Sequence, residues 1–119
     1  VKIIQNNVKV LGIKNVTIYS GSYLNYLDKL DQDVVFFDPP WGGPSYKTKE
    51  SVSLQLSNLP VQFVVEYLLN HTKAKAVFLK VPLNFELHKF IDKLRKFRIT
   101  ITHVQRFYLL HCYSFENQP

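Results

Sequence analysis

Asp38-Pro39-Pro40-Trp41-Gly42-Gly43 is the stretch of this sequence whose residue types can do chemistry. A carboxylate is followed by two residues that fix φ and have no backbone donor, so this part of the chain can only accept hydrogen bonds. A carboxylate beside an outward carbonyl is a cradle of two acceptors. Its natural guest is an –NH2 group, such as the exocyclic amine of a nucleobase. The lone pair of such an amine is delocalised into the ring, which makes it a poor nucleophile. Acceptors on both of its hydrogens favour a pyramidal nitrogen with that pair directed outward. Trp41, the only tryptophan, offers a face on which a base stacks, worth roughly 1–3 kcal/mol. Gly42 and Gly43 let the backbone pass close to a planar ligand. In the plainer reading Pro-Pro is a rigid turn, Asp38 a cap and Trp41 a core residue. The combination of all these residues at the end of a strand favours the chemical reading.

The strand in question is "VVFF", Val34 to Phe37. A continuous apolar run of β-formers is typical of a parallel strand covered on both faces. It stops at Asp38 because two prolines cannot continue a ladder. Upstream, Ile3, Ile4, Val8 and Leu11 fall at helical spacing before Gly12, residues 16–20 read as a short strand, and Leu24, Leu27 and Leu30 mark a further helix. Downstream, residues 42–58 are polar and loop-like, and "LPVQFVVEYLLNH" reads as a helix with Pro60 near its first turn. "AVFLKV" reads as a second buried strand. "NFELHKFIDKLRKF" reads as an amphipathic helix with Leu87, Ile91 and Leu94 on one side and Lys89, Lys93 and Lys96 exposed. Two β segments with a turn near Gln105–Arg106 close the chain. Alternation of this kind predicts an α/β fold, a mostly parallel sheet with helices on both faces and an antiparallel closing edge strand. In such sheets ligands bind outside the C-terminal ends of the strands, where residues 38–41 fall.

The bulk properties narrow the classes. With 119 residues, 46% hydrophobic and 20% charged, the chain suits one compact domain. No apolar run approaches the roughly 20 residues that span a bilayer, and the start does not resemble a signal peptide. Cys112, the single cysteine, has no internal partner for a disulfide, which fits an intracellular setting. A formal charge of +6, from 12 lysines and 3 arginines against 9 acids, favours polyanionic partners. His71, His88, His103 and His111 have no metal-ligand spacing with one another or with Cys112, so no metal site is expected. The sequence opens directly in helical material, so residues 1–119 read as part of a larger domain.

"DPPW" resembles the motif that amino-methyltransferases of the class I, S-adenosylmethionine-dependent fold carry at the end of their fourth strand. The longer "DVVFFDPPWGGPSY" is similar to one branch, the trimethylguanosine synthases, which methylate the N2 amine of a 7-methylguanosine RNA cap. "NNVKVLGI" and "AVFLKVPLN" resemble segments of the same branch. The resemblance runs from about residue 3 to about residue 85. It implies a Rossmann-like sheet that lacks its N-terminal part, because the glycine-rich cofactor loop and the acidic residue of the second strand would precede Val1. It implies an enzyme, with catalytic Asp38 and Pro39 holding the guanine N2 amine. Trp41 would stack on the cationic 7-methylguanine, with Pro40, Gly42, Tyr46 and Lys80 as further substrate contacts. Ser20, Gly21, Ser22 and Asp38 fall where the family meets S-adenosylmethionine, the cofactor it implies. Without the loop, this chain alone is expected to bind that cofactor poorly.

Three positions depart from the branch. Asp38 replaces a serine, Ser22 stands where an aspartate meets the cofactor adenine, and Leu83 lies where an arginine approaches the cap phosphates, with Lys80 as its substitute. The first departure keeps open a methyltransferase acting on adenine N6 or on unmodified guanine in RNA or DNA. The missing loop keeps open a cap- or RNA-binding module without catalysis. Lys47 and Lys49 are phosphate candidates, whereas "KLRKFR", residues 93–98, reads as a solvated helix face before an RNA contact. The implied partner is a capped RNA, snRNA- or snoRNA-like or a viral mRNA. The implied place is the nucleus for a cellular protein and the host cytoplasm for a viral one, and no membrane is involved.

Overall fold

A computed structural model describes residues 2–56 and 58–115. Helices α1 (Lys2–Val10), α2 (Val61–His71) and α3 (Leu87–Lys93) alternate with strands β1 (Val34–Phe37), β2 (Gln55–Leu56), β3 (Leu59–Pro60), β4 (Ala76–Pro82), β5 (Phe97–Val104) and β6 (Phe107–Ser114). The main sheet has the order β1-β4-β6-β5, and β2 pairs with β3 as a separate short ribbon. β1 lies parallel to β4, with Val34 opposite Ala76 and Phe37 opposite Leu79. At the start of this pair the Lys75 amide donates to the Asp33 carbonyl at 2.7 Å. Lys73 reaches Asp31 at 2.9 Å and Asp33 at 3.4 Å beside it. The β1–α2–β4 unit is the parallel pairing that the two apolar runs announced.

The sheet is nonetheless less parallel than expected. β6 runs antiparallel to both β4 and β5, so among the described strands of the main sheet only the β1–β4 pair is parallel. The cause is the tight turn at Gln105–Arg106. A connection this short can join only antiparallel strands, and Gln105 adopts φ +42° to make it.

Among the described residues, helices cover one face of the sheet, not both. Val61, Val64, Val65 and Leu68 of α2 form one cluster with Phe90, Leu94, Val35, Phe37, Val77, Leu79, Val81, Leu110 and Cys112. The alternate positions point the other way, and there Val34 and Phe36 stay 57% and 60% exposed. Helix α1 does not cover them and keeps its own Ile3 and Ile4 exposed. Along this bare face Phe78 stacks on His111 at 4.4 Å, and His111 meets Tyr113 at 4.6 Å. Partial burial there holds the His111 imidazole below its ordinary pKa.

Three local expectations change. Residues 16–20 form no strand, because Tyr19 and Ser20 engage Tyr26: the rings lie 5.2 Å apart and the Tyr26 hydroxyl donates to the Ser20 carbonyl at 2.7 Å. Leu24, Leu27 and Leu30 do not build a helix. A spacing of three is the repeat of a 3₁₀ turn, and Tyr23–Asn25 forms one, with the Ser22 side chain accepting from the Leu24 amide. In α3 the buried residue is Phe90, followed by Leu94 beyond its end, while Ile91 is exposed. Phe85 meets Phe90 edge to face at 5.5 Å and turns the helix that way.

The two sheet faces respond differently to truncation. Leu79→Ala removes a fully buried side chain and lowers unfolding free energy by about 2–5 kcal/mol. Phe36→Ala, on the bare face, costs less than about 1 kcal/mol. Urea unfolding of the two variants measures both, and equal losses would mean that the bare face is covered in solution. Burial pushes the Cys112 thiol up to about 12 from an ordinary 9.0. A raised folded pKa leaves stability intact below the unfolded value, and stability then falls by at most roughly 1.4 kcal/mol per pH unit as pH climbs toward the folded one. Cys112→Ala removes that part of the alkaline loss. The native thiol also resists aromatic disulfide reagents until the protein is unfolded.

Candidate nucleobase-binding site

The parallel ladder delivers the first two groups. Phe37 and Leu79 are its last paired residues, so Asp38 and Lys80 follow side by side on adjacent strands. Phe37 and Leu79 face the core, which sends the next residue of each strand to the opposite side. Lys80 Nζ lies 3.9 Å from Asp38 Oδ2, with the side chains 33% and 54% exposed. At that exposure the pair adds at most about 1 kcal/mol to stability.

Beyond Pro40 the chain reverses over Gly42 and Gly43, at φ +92° and +73°. Side chains rarely adopt these angles, so the glycines fix the turn. Pro44–Thr48 forms a 3₁₀ turn with proline in its opening position. This brings the Tyr46 ring edge-on to Trp41 at 5.0 Å. Asn84, just past β4, donates from Nδ2 to the carbonyls of Tyr46 and Lys49 at 2.7 and 3.0 Å. The loop is thus tied to the strand that carries Lys80.

Asp38, Pro39, Pro40, Trp41, Gly43, Tyr46 and Lys80 line one recess of about 450 Å³. Of the sequence-derived substrate contacts only Gly42 is not among them. It lines a second recess on which Trp41 and Pro40 also border, with Lys49, Ser51 and Ser53. Trp41 Nε1 is buried and has no hydrogen-bond partner among the described residues. The N–H is thus closed to solvent, and only part of the ring is open for contact. The indole is half-buried against the core, so the plainer reading of Trp41 as a packing residue holds for part of the ring.

A third recess, of about 320 Å³, is lined by Tyr46, Lys47, Lys49, Leu83, Asn84 and Arg106. Lys80 and Leu83 therefore open into different recesses. Sequence reasoning missed Arg106. The signal was the antiparallel return of β6, which places Phe107 opposite Pro82 and so carries the preceding turn to the site end of the sheet. The same register puts residues 93–98 at the far end, since Phe97 lies opposite Ser114. Arg95 is there paired with Asp92 at 2.5 Å.

The cofactor candidates are placed less favourably. Tyr23 packs edge-on against Phe37 at 5.3 Å, which holds the 20–22 segment near the end of β1. However, none of Ser20, Gly21 and Ser22 lines the recess at Asp38. The Ser20 carbonyl is occupied by Tyr26 and the Ser22 hydroxyl accepts from Leu24. These residues do not enclose S-adenosylmethionine.

Asn84→Ala tests the loop anchor. Losing two hydrogen bonds of about 1 kcal/mol each frees residues 46–49 and speeds tryptic cleavage after Lys47 and Lys49 severalfold. An unchanged cleavage rate would show that the loop is held by other contacts.

Comparison with known proteins agrees with this architecture. Residues 1–112 match the family model described as RNA cap guanine-N2 methyltransferase. The uncharacterized protein L320 of Acanthamoeba polyphaga mimivirus is 38% identical over 101 residues, an alignment that covers 82% of this chain and 40% of that protein. The chain thus spans well under half the length of this relative. That family uses S-adenosylmethionine and acts on capped RNA. A parallel β1–β4 pair that ends in Asp38-Pro39-Pro40-Trp41 and is closed by an antiparallel hairpin is consistent with part of its fold, and the chain belongs to the RNA cap guanine-N2 methyltransferase family.

Proposed function

We propose that this chain holds the 7-methylguanine of an RNA cap and presents its exocyclic N2 amine for methylation. The observation that carries the reading is the recess in which Asp38, Pro39, Trp41 and Tyr46 meet at the C-terminal end of β1. A flat base enters against the Trp41 ring. The methylated base is a cation, and an indole face attracts it by about 0.5–2 kcal/mol beyond stacking. With the base in place, the Asp38 carboxylate and the Pro39 carbonyl accept the two amine hydrogens. This freezes the rotation of the amine and points its lone pair outward, so positioning accounts for most of the rate gain. Beside an amine held in this way, the Asp38 charge would favour positive charge on its nitrogen.

Lys47, Lys49 and Arg106 border the neighbouring recess, and none makes an ion pair among the described residues. They offer positive charge along the path that the cap phosphates would take away from Trp41. In this reading Arg106, and not Lys80, stands near the position where Leu83 leaves the family's arginine unmatched.

The sole tryptophan makes the test direct. 7-Methylguanosine triphosphate is expected to quench Trp41 emission saturably, and unmethylated guanosine triphosphate to bind about two- to thirtyfold more weakly. Equal quenching by both, in protein shown to be folded by circular dichroism, would overturn the cap reading. It would favour adenine or unmodified guanine as the base, in keeping with the aspartate at position 38.

A further inference from the structure

The cation nearest this recess comes from the protein itself. Lys80 Nζ lies 3.9 Å from Asp38 Oδ2, 5.8 Å from the centroid of Trp41 and 4.8 Å from that of Phe107. It therefore touches a carboxylate and faces an indole. These are the two groups that would hold a cationic methylated base. Two positive charges cannot share them without repulsion, which at about 4–6 Å in a half-exposed site weakens binding of the base severalfold. Two other features suit a displaceable occupant. The Asp38 pair is long for an ion pair and both partners reach solvent, so it is weakly held. The four-carbon lysine stem can swing the ammonium away from Asp38 while keeping it over Phe107.

We infer that Lys80 is a resident competitor for the cationic base. It occupies the carboxylate and the ring until substrate arrives, and so sets how strongly the site prefers a charged base over a neutral one. The inference deepens the proposed function and rests on it. It assigns Lys80 a role opposite to phosphate attraction, because the ammonium opens into the recess of Asp38 and not into that of Lys47, Lys49 and Arg106.

Nucleosides separate the two roles, since they carry no phosphate. The probes are 7-methylguanosine and guanosine in mildly acidic buffer, where the methylated base is charged. They are titrated by Trp41 quenching against the native chain, Lys80→Met and Lys80→Gln. Removing the ammonium is expected to tighten 7-methylguanosine by about threefold or more and to leave guanosine within about twofold. Unchanged or weaker binding of 7-methylguanosine by both variants, with the native preference for the methylated base intact, overturns the role of Lys80 and spares the cap reading. No preference for the methylated base in any of the three proteins overturns the cap reading, and this inference with it. A measurement without ligand stands apart from both. Removing an ammonium beside an indole shifts its emission maximum, so identical ligand-free spectra for the native chain and both variants overturn the contact itself.

Discussion

Everything at the candidate site depends on one register. Pairing Phe37 with Leu79 in a parallel ladder makes Asp38 and Lys80 neighbours. Shifting either strand by one residue would bury one of them and expose Phe37 or Leu79 instead. The register is held by burial, because Val35, Phe37, Val77, Leu79 and Val81 are all buried on the covered face. It is reinforced at the start of the strands by Lys73 bridging Asp31 and Asp33. The hydrophobic core thus does not merely support the site. It decides which two side chains emerge at the strand ends, and the prolines at 39 and 40 decide that the ladder stops there.

How far the sequence foretold this follows from the kind of signal each residue carries. The β1 and β4 strands were legible because apolar β-forming runs have few alternatives, and α2 was legible because its apolar residues recur at helical spacing. Asp38, Pro39, Pro40, Trp41 and Tyr46 were legible as a group because they are adjacent in sequence and stiffened by proline and glycine. Lys80 was legible only through the family resemblance, since a lysine within an apolar strand does not announce its neighbour. Arg106 was not legible, although its turn was. Its position depends on β6 returning antiparallel along β4, which is a long-range pairing and not a local pattern. The bare sheet face was also hidden. A run such as "VVFF" is apolar on both sides, and it is the absence of a helix over Val34 and Phe36 that leaves half of it exposed.

The distribution of charge separates the basic residues that belong to the site from those that do not. Residues 93–98 contain four of the fifteen Lys and Arg residues, yet the hairpin register carries them to the far end of the sheet. There Arg95 is paired with Asp92 and Arg98 lies over Phe115 at 4.9 Å. Lys47, Lys49 and Arg106 are scattered in sequence and converge on one recess. A net charge of +6 therefore means less than where the sheet topology puts it, and the recess beside Tyr46 gathers three of these cations.

Asp38 makes the site electrostatically different from one built on serine. A serine hydroxyl can both accept from and donate to a ligand, whereas an ionised carboxylate only accepts. The aspartate thus suits an amine that can only donate hydrogen bonds, and it brings a charge that a desolvating base would otherwise leave uncompensated. Lys80 supplies the compensation at 3.9 Å. Under the proposed function a neutral base would leave Asp38 that partner, whereas a cationic base would replace it once the ammonium moves away. The same two residues would therefore set the choice between charged and neutral bases. The parallel register places them side by side without any further device.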